Sequence, residues 1–460
     1  MEGKTVILTI VIIYLAAMSG LGFYLMRRIK GFSDFLVAGR NAGLLVVVGS
    51  FIGSHFGGGM TVGGAEYGVL HGLSGIWYGL ACGFSYLLFL IIAKKVYVLK
   101  QITIADCLEH AYHTKRIRGL FAILAFFGVL GVIGGQILAG GAIFATFGVS
   151  KEIGGLITFL IIVVYCSLSG LFGVMITDVI QVAIGGFGVI LAAILALVKV
   201  GGFSGLQTLP AEHLSFFPPH LSALLWIIVP TTLMGLLSQP SFQRVNACKD
   251  EKTAFRAPLI AAFGVMILAL FPVLAGMCAN VLWPDIEASL AVPKLLSEIF
   301  PPVIAAIFIA AILAAVMSTA DSTLLAGTAF VVRDLYQQIF KPDATDRRLL
   351  RLSMITTAII GLLSLGVTYL VPVIIDLFLL SYAIMVCGGL IPVVGGLLWK
   401  RGTELGAWAA FLAGFIFVIL SVLKIINVPY FYIVGLIPAF LTYILISLIT
   451  KPAKQKRNIG

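Results

Sequence analysis

Long apolar runs interrupted by short polar segments dominate this sequence. A hydrocarbon core about 30 Å thick is crossed by roughly 20 apolar residues in a helix. Runs of that length predict thirteen spanning helices, near 5 to 27, 42 to 70, 73 to 98, 118 to 148, 152 to 173, 176 to 200, 222 to 243, 255 to 281, 301 to 332, 349 to 370, 372 to 398, 405 to 424 and 429 to 450. The first run is too long for a signal-peptide core, lacks a small-residue cleavage site and leads straight into further spans, so it reads as a helix. No soluble domain is left between the runs.

Of the 460 residues, 60% are apolar and 11% charged, whereas a globular domain carries about 25% charged residues. The pattern is that of an all-α polytopic membrane protein with one transmembrane domain, 1 to 460. A net charge of +11 would suit a nucleic-acid partner if the cations pooled on one surface, so their placement along the chain decides its meaning. Lys4, Lys151, Lys199, Lys294 and Lys424 fall in one set of alternate loops. The remaining 25 of the 30 Lys and Arg fall in the other, among them Arg27, Arg28, Lys94, Lys95, Arg116, Arg244, Arg347, Arg348 and Lys400. The positive-inside rule then puts the N-terminus outside and the C-terminus in the cytoplasm of a multi-pass protein of the plasma (inner) membrane. Charge set by insertion needs no polyanion, so no nucleic-acid partner is implied, and the basic tail, 451 to 460, is expected to face lipid. No obligate protein partner is indicated. Six cysteines (82, 107, 166, 248, 278 and 387) lack paired spacing, which points to neither a disulfide framework nor a zinc site.

Two spans depart from ordinary membrane helices. Gly57, Gly58 and Gly59, followed by Gly63 and Gly64, fall at mid-membrane depth, where each glycine costs a helix roughly 1 kcal/mol. A break there frees backbone carbonyls and amides, tolerable in a membrane where they line a cavity or bind something; close helix packing through small residues is the alternative. Span seven has weak points at Pro230 and Pro240 and lies five spans later, the placement expected of inverted repeats.

Ionisable groups at membrane depth cost at least about 2.5 kcal/mol, which singles out Glu66, Asp178, Asp321 and Asp376. Asp178 opens span six, either as a helix cap or as part of an ion site. Asp321 follows Ala315, Ser318 and Thr319 and precedes Ser322, an oxygen-rich stripe suited to a hard cation such as Na+, although hydroxyls of this kind also bond back to their own helix. Glu66 and Asp376 lie toward a boundary where water is within reach. Of the histidines, His55 alone sits at the break, either packing helices or meeting a ligand. No nucleophile elbow, P-loop or zinc-protease motif is present, so the chain reads as no enzyme, with no cofactor beyond Na+ as a coupling ion.

These residues resemble the sodium:solute symporter family over nearly the whole chain. Ser33-Asp34-Phe35-Leu36-Val37-Ala38-Gly39-Arg40 is similar to its DFxxAGR segment, Gly170 to Gln181 to its GGLxAVxxTDxxQ motif with Ser169 replacing the first glycine, Phe242-Gln243-Arg244 to its FQR, and Ala314 to Ser322 to its AAxMS[ST]ADS stretch. The glycine triplet with Ala65-Glu66 most resembles the branch containing high-affinity choline transporters. The resemblance implies a LeuT-like core of five plus five inverted repeats. The leading helix would be 5 to 27, the repeats 42 to 200 and 222 to 398, and two trailing helices would occupy 405 to 450. It further implies a sodium site at the carbonyls of Gly53, Phe56 and Ala315 and the hydroxyls of Ser318 and Thr319. A candidate second sodium or proton site would comprise Asp178, Ser318, Asp321 and Ser322.

The expectation is Na+-coupled symport of a small organic solute by alternating access, with a transporter-fold sensor or a proton-coupled symporter as the alternatives. Candidate solute-binding residues are His55, Gly57, Gly58, Gln136, Ser238 and Gln239. His55 and Ser238 stand where the choline branch carries tryptophans, so a carboxylate or amino acid is expected rather than choline, unless Phe51 and Trp226 rebuild an aromatic cage.

Overall fold

The computed structural model describes residues 9–14, 16, 17, 20, 21, 24, 36, 38–422, 424–426 and 431–451, without the side chains of 164–170, 422, 431 and 432. Most of the leading helix, of the segment from Ser33 to Val37 and of the basic tail therefore lies outside the described residues. Among the described residues there is no β-strand, only one isolated bridge between Ala42 and Cys248.

Helix α1 (Leu44–His55) ends in an irregular turn and the chain resumes as α2 (Val62–His71), which confirms the break expected at the glycines. At Gly72 φ is 60°, and an added Cβ would overlap the backbone of His213, so only glycine fits this turn. The chain doubles back there: Gly75 packs on Tyr67, and Gly59 lies beside Tyr78 at the start of α3 (Trp77–Leu99). After the short α4 (Ile104–Tyr112) come α5 (Lys115–Ala145) and α6 (Lys151–Lys199). A straight helix of the 49 residues in α6 would be about 73 Å long, far more than a bilayer needs. Its halves instead run in opposite senses. Gly154 and Thr158 descend along Phe144 and Gly140 of α5, whereas Asp178 and Gly188 accompany Ser318 and Phe308 of α11 (Pro302–Thr328), a helix antiparallel to α5.

Helix α7 (Leu221–Met234) continues to Leu237, and α8 (Gln239–Ala247) leaves it at 43°. The helix passes through Pro230 unbroken, and the break falls at Ser238. Pro240 is tolerated in the first turn of α8, and the Ser238 hydroxyl accepts the Ser241 N–H at 3.3 Å as its cap. The remaining helices of nine residues or more are α9 (Glu251–Leu282), α10 (Ala291–Ile299), α12 (Asp346–Val367), α13 (Ile374–Leu398), α14 (Glu404–Val422) and α15 (Leu436–Ile449), with a π-helical stretch, Ala329–Phe340, extending α11. Eight described helical runs are long and apolar enough to cross a membrane, nine if the bent α7–α8 pair is one span. One of those runs, Val62–Leu99, contains the reversal at Gly72.

The sequence pattern gave no sign of α4. A capping box starts it: Thr103 accepts the Asp106 N–H, and the Asp106 carboxylate accepts the Thr103 N–H, both at 3.0 Å. The same carboxylate is buried against Arg118 of α5 and lies 3.1 Å from Arg333 of the π-helical stretch. Thr103 Oγ1 donates to Asp334 at 3.0 Å, and Arg118 Nε lies 2.7 Å from Glu109. Three carboxylates and two guanidiniums thus pin α4 to α5 and to the α11 extension. The five described cysteines are buried and form no disulfide.

Candidate functional site

The two breaks face a common centre. Thr319 of α11 donates its hydroxyl to the Gly53 carbonyl at 3.1 Å and lies 3.3 Å from the Ala315 carbonyl. Three of the five expected sodium ligands are thereby within contact of one another. The glycines explain the approach: a Cβ on Gly57 would overlap the Thr319 hydroxyl. Ser318 is adjacent, but its hydroxyl donates to Asp178. Phe56 lies buried in the turn, its ring against Gly185 and Gly186 of α6.

Asp178 is no helix cap. Helical residues flank it on both sides, and its carboxylate accepts from Ser50 (2.5 Å), Ser318 and Arg244 (3.1 Å) rather than from a backbone N–H. Arg244 of α8 is itself fully buried, donating also to the Ser50 carbonyl and hydroxyl (3.0 and 2.8 Å) and to Ser322 (2.9 Å). Two members of the candidate second cation site, Asp178 and Ser322, thus meet a guanidinium that supplies a positive charge of its own, and a third, Ser318, bonds Asp178. Asp321 is fully buried one residue away on α11. The motif reading placed Arg244 in FQR without foreseeing this ion pair, which joins α1, α6, α8 and α11 at one point.

A cavity of about 80 Å³ lies between the breaks. His55, Gln136, Ser238 and Gln239 line it, as does Thr319, so the cavity abuts the expected sodium ligands. Gly57 and Gly58 stand behind it, the Gly58 N–H donating to Gln136 Oε1 at 2.8 Å. The Gln239 amide is committed elsewhere, accepting from Ile104 N–H and donating to the Ile102 carbonyl, both at 2.9 Å. The sequence reading missed Tyr78, Tyr86, Phe378, Tyr382 and Thr231, which also line the cavity. Trp226 lines a separate cavity of about 710 Å³ near the Gly72 turn, and Phe51 packs edge-on against Tyr86 at 5.1 Å, so neither rebuilds a cage at the centre. The boundary acids are engaged: buried Glu66 accepts the Ile374 N–H at the start of α13 (3.1 Å), and half-buried Asp376 accepts from Tyr67 at 2.5 Å.

The family model of the sodium:solute symporter family matches residues 35–414. The chain belongs to that family. The osmoregulated proline transporter OpuE of Bacillus subtilis is 29% identical, over 97% of this chain and 96% of its own. The sodium/pantothenate symporter of Escherichia coli is 28% identical over 95% and 94%, and the human high affinity choline transporter 1 is 28% identical over 82% and 69%. A solved structure of a Na+-coupled sialic acid symporter, substrate-bound and outward-open, superposes with a TM-score of 0.83 at 20% identity, covering 98% of this chain and 99% of that one. A nucleobase-cation-symport-1 family transporter in a closed conformation gives 0.64 at 15%. This member of the sodium:solute symporter family is a multi-pass membrane protein and a sodium-coupled solute symporter, not an enzyme.

Proposed function

We propose that this symporter uses one Na+, held between the α1 break and α11, to drive uptake of a small polar solute, a carboxylate or an amino acid, across the plasma membrane by alternating access. The ligands would be the carbonyls of Gly53, Phe56 and Ala315 and the hydroxyls of Ser318 and Thr319. The observation that carries this is the Thr319 hydroxyl seated between the Gly53 and Ala315 carbonyls, beside the cavity lined by His55, Gln136 and Ser238. Na+ there would tie the broken helix to α11, so its loss would loosen the solute site. The Arg244 guanidinium supports a single sodium, because a second cation among Asp178, Ser318, Asp321 and Ser322 would be repelled by it.

The pairs α1–α2 and α7–α8, each broken at its middle and each meeting the cavity, support two inverted repeats of five spans at 42 to 200 and 222 to 398. The opposed halves of α6 and the reversal at Gly72 support a count of thirteen spans. On this reading the N-terminus is outside and the C-terminus cytoplasmic, with one leading and two trailing helices. The test is uptake into proteoliposomes of labelled proline, pantothenate and choline, solutes suggested by the names of the relatives, with Na+ gradients imposed in each direction. Uptake that follows the inward Na+ gradient and persists when the pH gradient is collapsed supports the reading. Uptake driven by a proton gradient without Na+ would select the proton-coupled alternative.

A further inference from the structure

Two of the side chains lining the central cavity have buried polar atoms with no hydrogen-bond partner: Gln136 Nε2 and Thr231 Oγ1. Gln136 is fully buried and Thr231 is 2% exposed. A buried polar atom left unpaired loses the hydrogen bonds it made to water, so its partner is to be sought in what fills the cavity. The orientation of the Gln136 amide is fixed by chemistry. Its bond at 2.8 Å is to the Gly58 N–H, a donor, so the atom there is the oxygen and the unpaired atom is the NH2 group, which can only donate. Thr231, which lines the cavity, lacks the back-bond that several buried threonines of the spans make. Thr158, Thr177 and Thr323 bond back to the carbonyl four residues earlier, and Thr231 does not. Among the described residues that line the cavity there is no Asp, Glu, Lys or Arg.

We infer that the transported solute is a compact amino or imino acid whose carboxylate takes the Gln136 amide N–H and whose amino nitrogen bonds the Thr231 hydroxyl, making Thr231 a specificity-determining residue. The inference rests on the sodium site proposed above and deepens it. An anion in an uncharged, buried site needs a nearby cation. The Na+ proposed above supplies it, and Gln136 is the lining residue beside it: its amide oxygen lies against the same glycine turn whose Gly57 backs Thr319. The carboxylate therefore lies on the sodium side of the cavity. The aromatic wall of Tyr78, Phe378 and Tyr382 receives the apolar body. A quaternary ammonium, which can neither accept from Gln136 nor bond Thr231, would leave both atoms stranded.

Matched probes test this. In full-length protein in nanodiscs with saturating Na+, affinities are measured by competition or thermal shift for L-proline, L-prolinamide and cyclopentanecarboxylate, and for L-alanine, L-alaninamide and isobutyrate. Within each set the members match in size and differ in one group. At least one amino acid should bind about tenfold or more tighter than both of its analogues, the scale of one hydrogen bond to a charged group. Gln136→Leu should erase the preference over the amide, and Thr231→Val the preference over the acid lacking nitrogen, with stabilisation by Na+ alone unchanged in Thr231→Val. Binding of the amides or of choline as tight as the amino acids, no Na+-dependent signal from any acid, or Thr231→Val retaining its preference would overturn the inference. Stabilisation by Na+ alone, abolished by Thr319→Val, reports separately on the sodium site, so the two failures are distinguishable.

Discussion

At the residue scale, the centre of the molecule is governed by two buried hydroxyls with different partners. Ser318 and Thr319 are adjacent, yet one donates to Asp178 and the other to the Gly53 carbonyl. Thr319→Val keeps the shape and removes the oxygen, so apparent Na+ affinity should fall at least tenfold with little loss of folded protein, as measured by Na+-dependent thermal stabilisation. Asp178→Asn should behave differently. It leaves the fully buried Arg244 without its counter-charge, and breaking one partner of such a pair costs about 3 to 5 kcal/mol. Chemical denaturation of the detergent-solubilised variant should show that loss even at saturating Na+; a variant as stable as wild type would contradict the structural role. The motifs made these residues findable, because hydroxyls and acids at mid-membrane depth are expensive. The pairing itself was not legible, since Asp178 and Arg244 meet across 66 positions of sequence. Thr231 left no signal at all, as only its place on the cavity wall distinguishes it from an ordinary helical threonine.

Among elements, the broken helices show how much a composition pattern can carry. Three consecutive glycines marked the α1–α2 break correctly, because their cost in a helix is unconditional. The second break was displaced from the prolines to Ser238, because a proline in a first turn is no breaker. Gly57→Ala tests the first break. Its methyl would overlap Thr319, so Na+ stabilisation should be lost as fully as in Thr319→Val, whereas Gly148→Ala, with φ of 87° and open space around it, should cost only its backbone strain and leave Na+ affinity intact. The amphipathic α4 was invisible to a search for apolar runs. Its nine residues are too short to span, and its anchors are charges contributed by α5 and the α11 extension.

Across the whole molecule, the apolar pattern and the placement of lysine and arginine were sufficient to recognise a multi-pass membrane protein, while the partners of its buried charges were not. The Asp106, Arg118, Arg333 and Asp334 cluster sits beside the loop whose Ile102 and Ile104 are gripped by Gln239. Gln239 also lines the central cavity, so α8 is tied to this cluster through a few residues. Arg118→Leu leaves Asp106 and Asp334 with Arg333 alone and should lower stability by about 3 to 5 kcal/mol, read as loss of folded yield and of melting temperature; a wild-type melting temperature would show that the cluster holds nothing in place. Coupling in this molecule requires above all that Na+ bind where α1 breaks against α11. Equilibrium binding of radioactive sodium to the purified protein tests it. Saturable binding in the wild type that disappears in Thr319→Val, with the variant still folded, is the predicted result. Saturable binding of equal affinity in the variant, or none in the wild type, would contradict it.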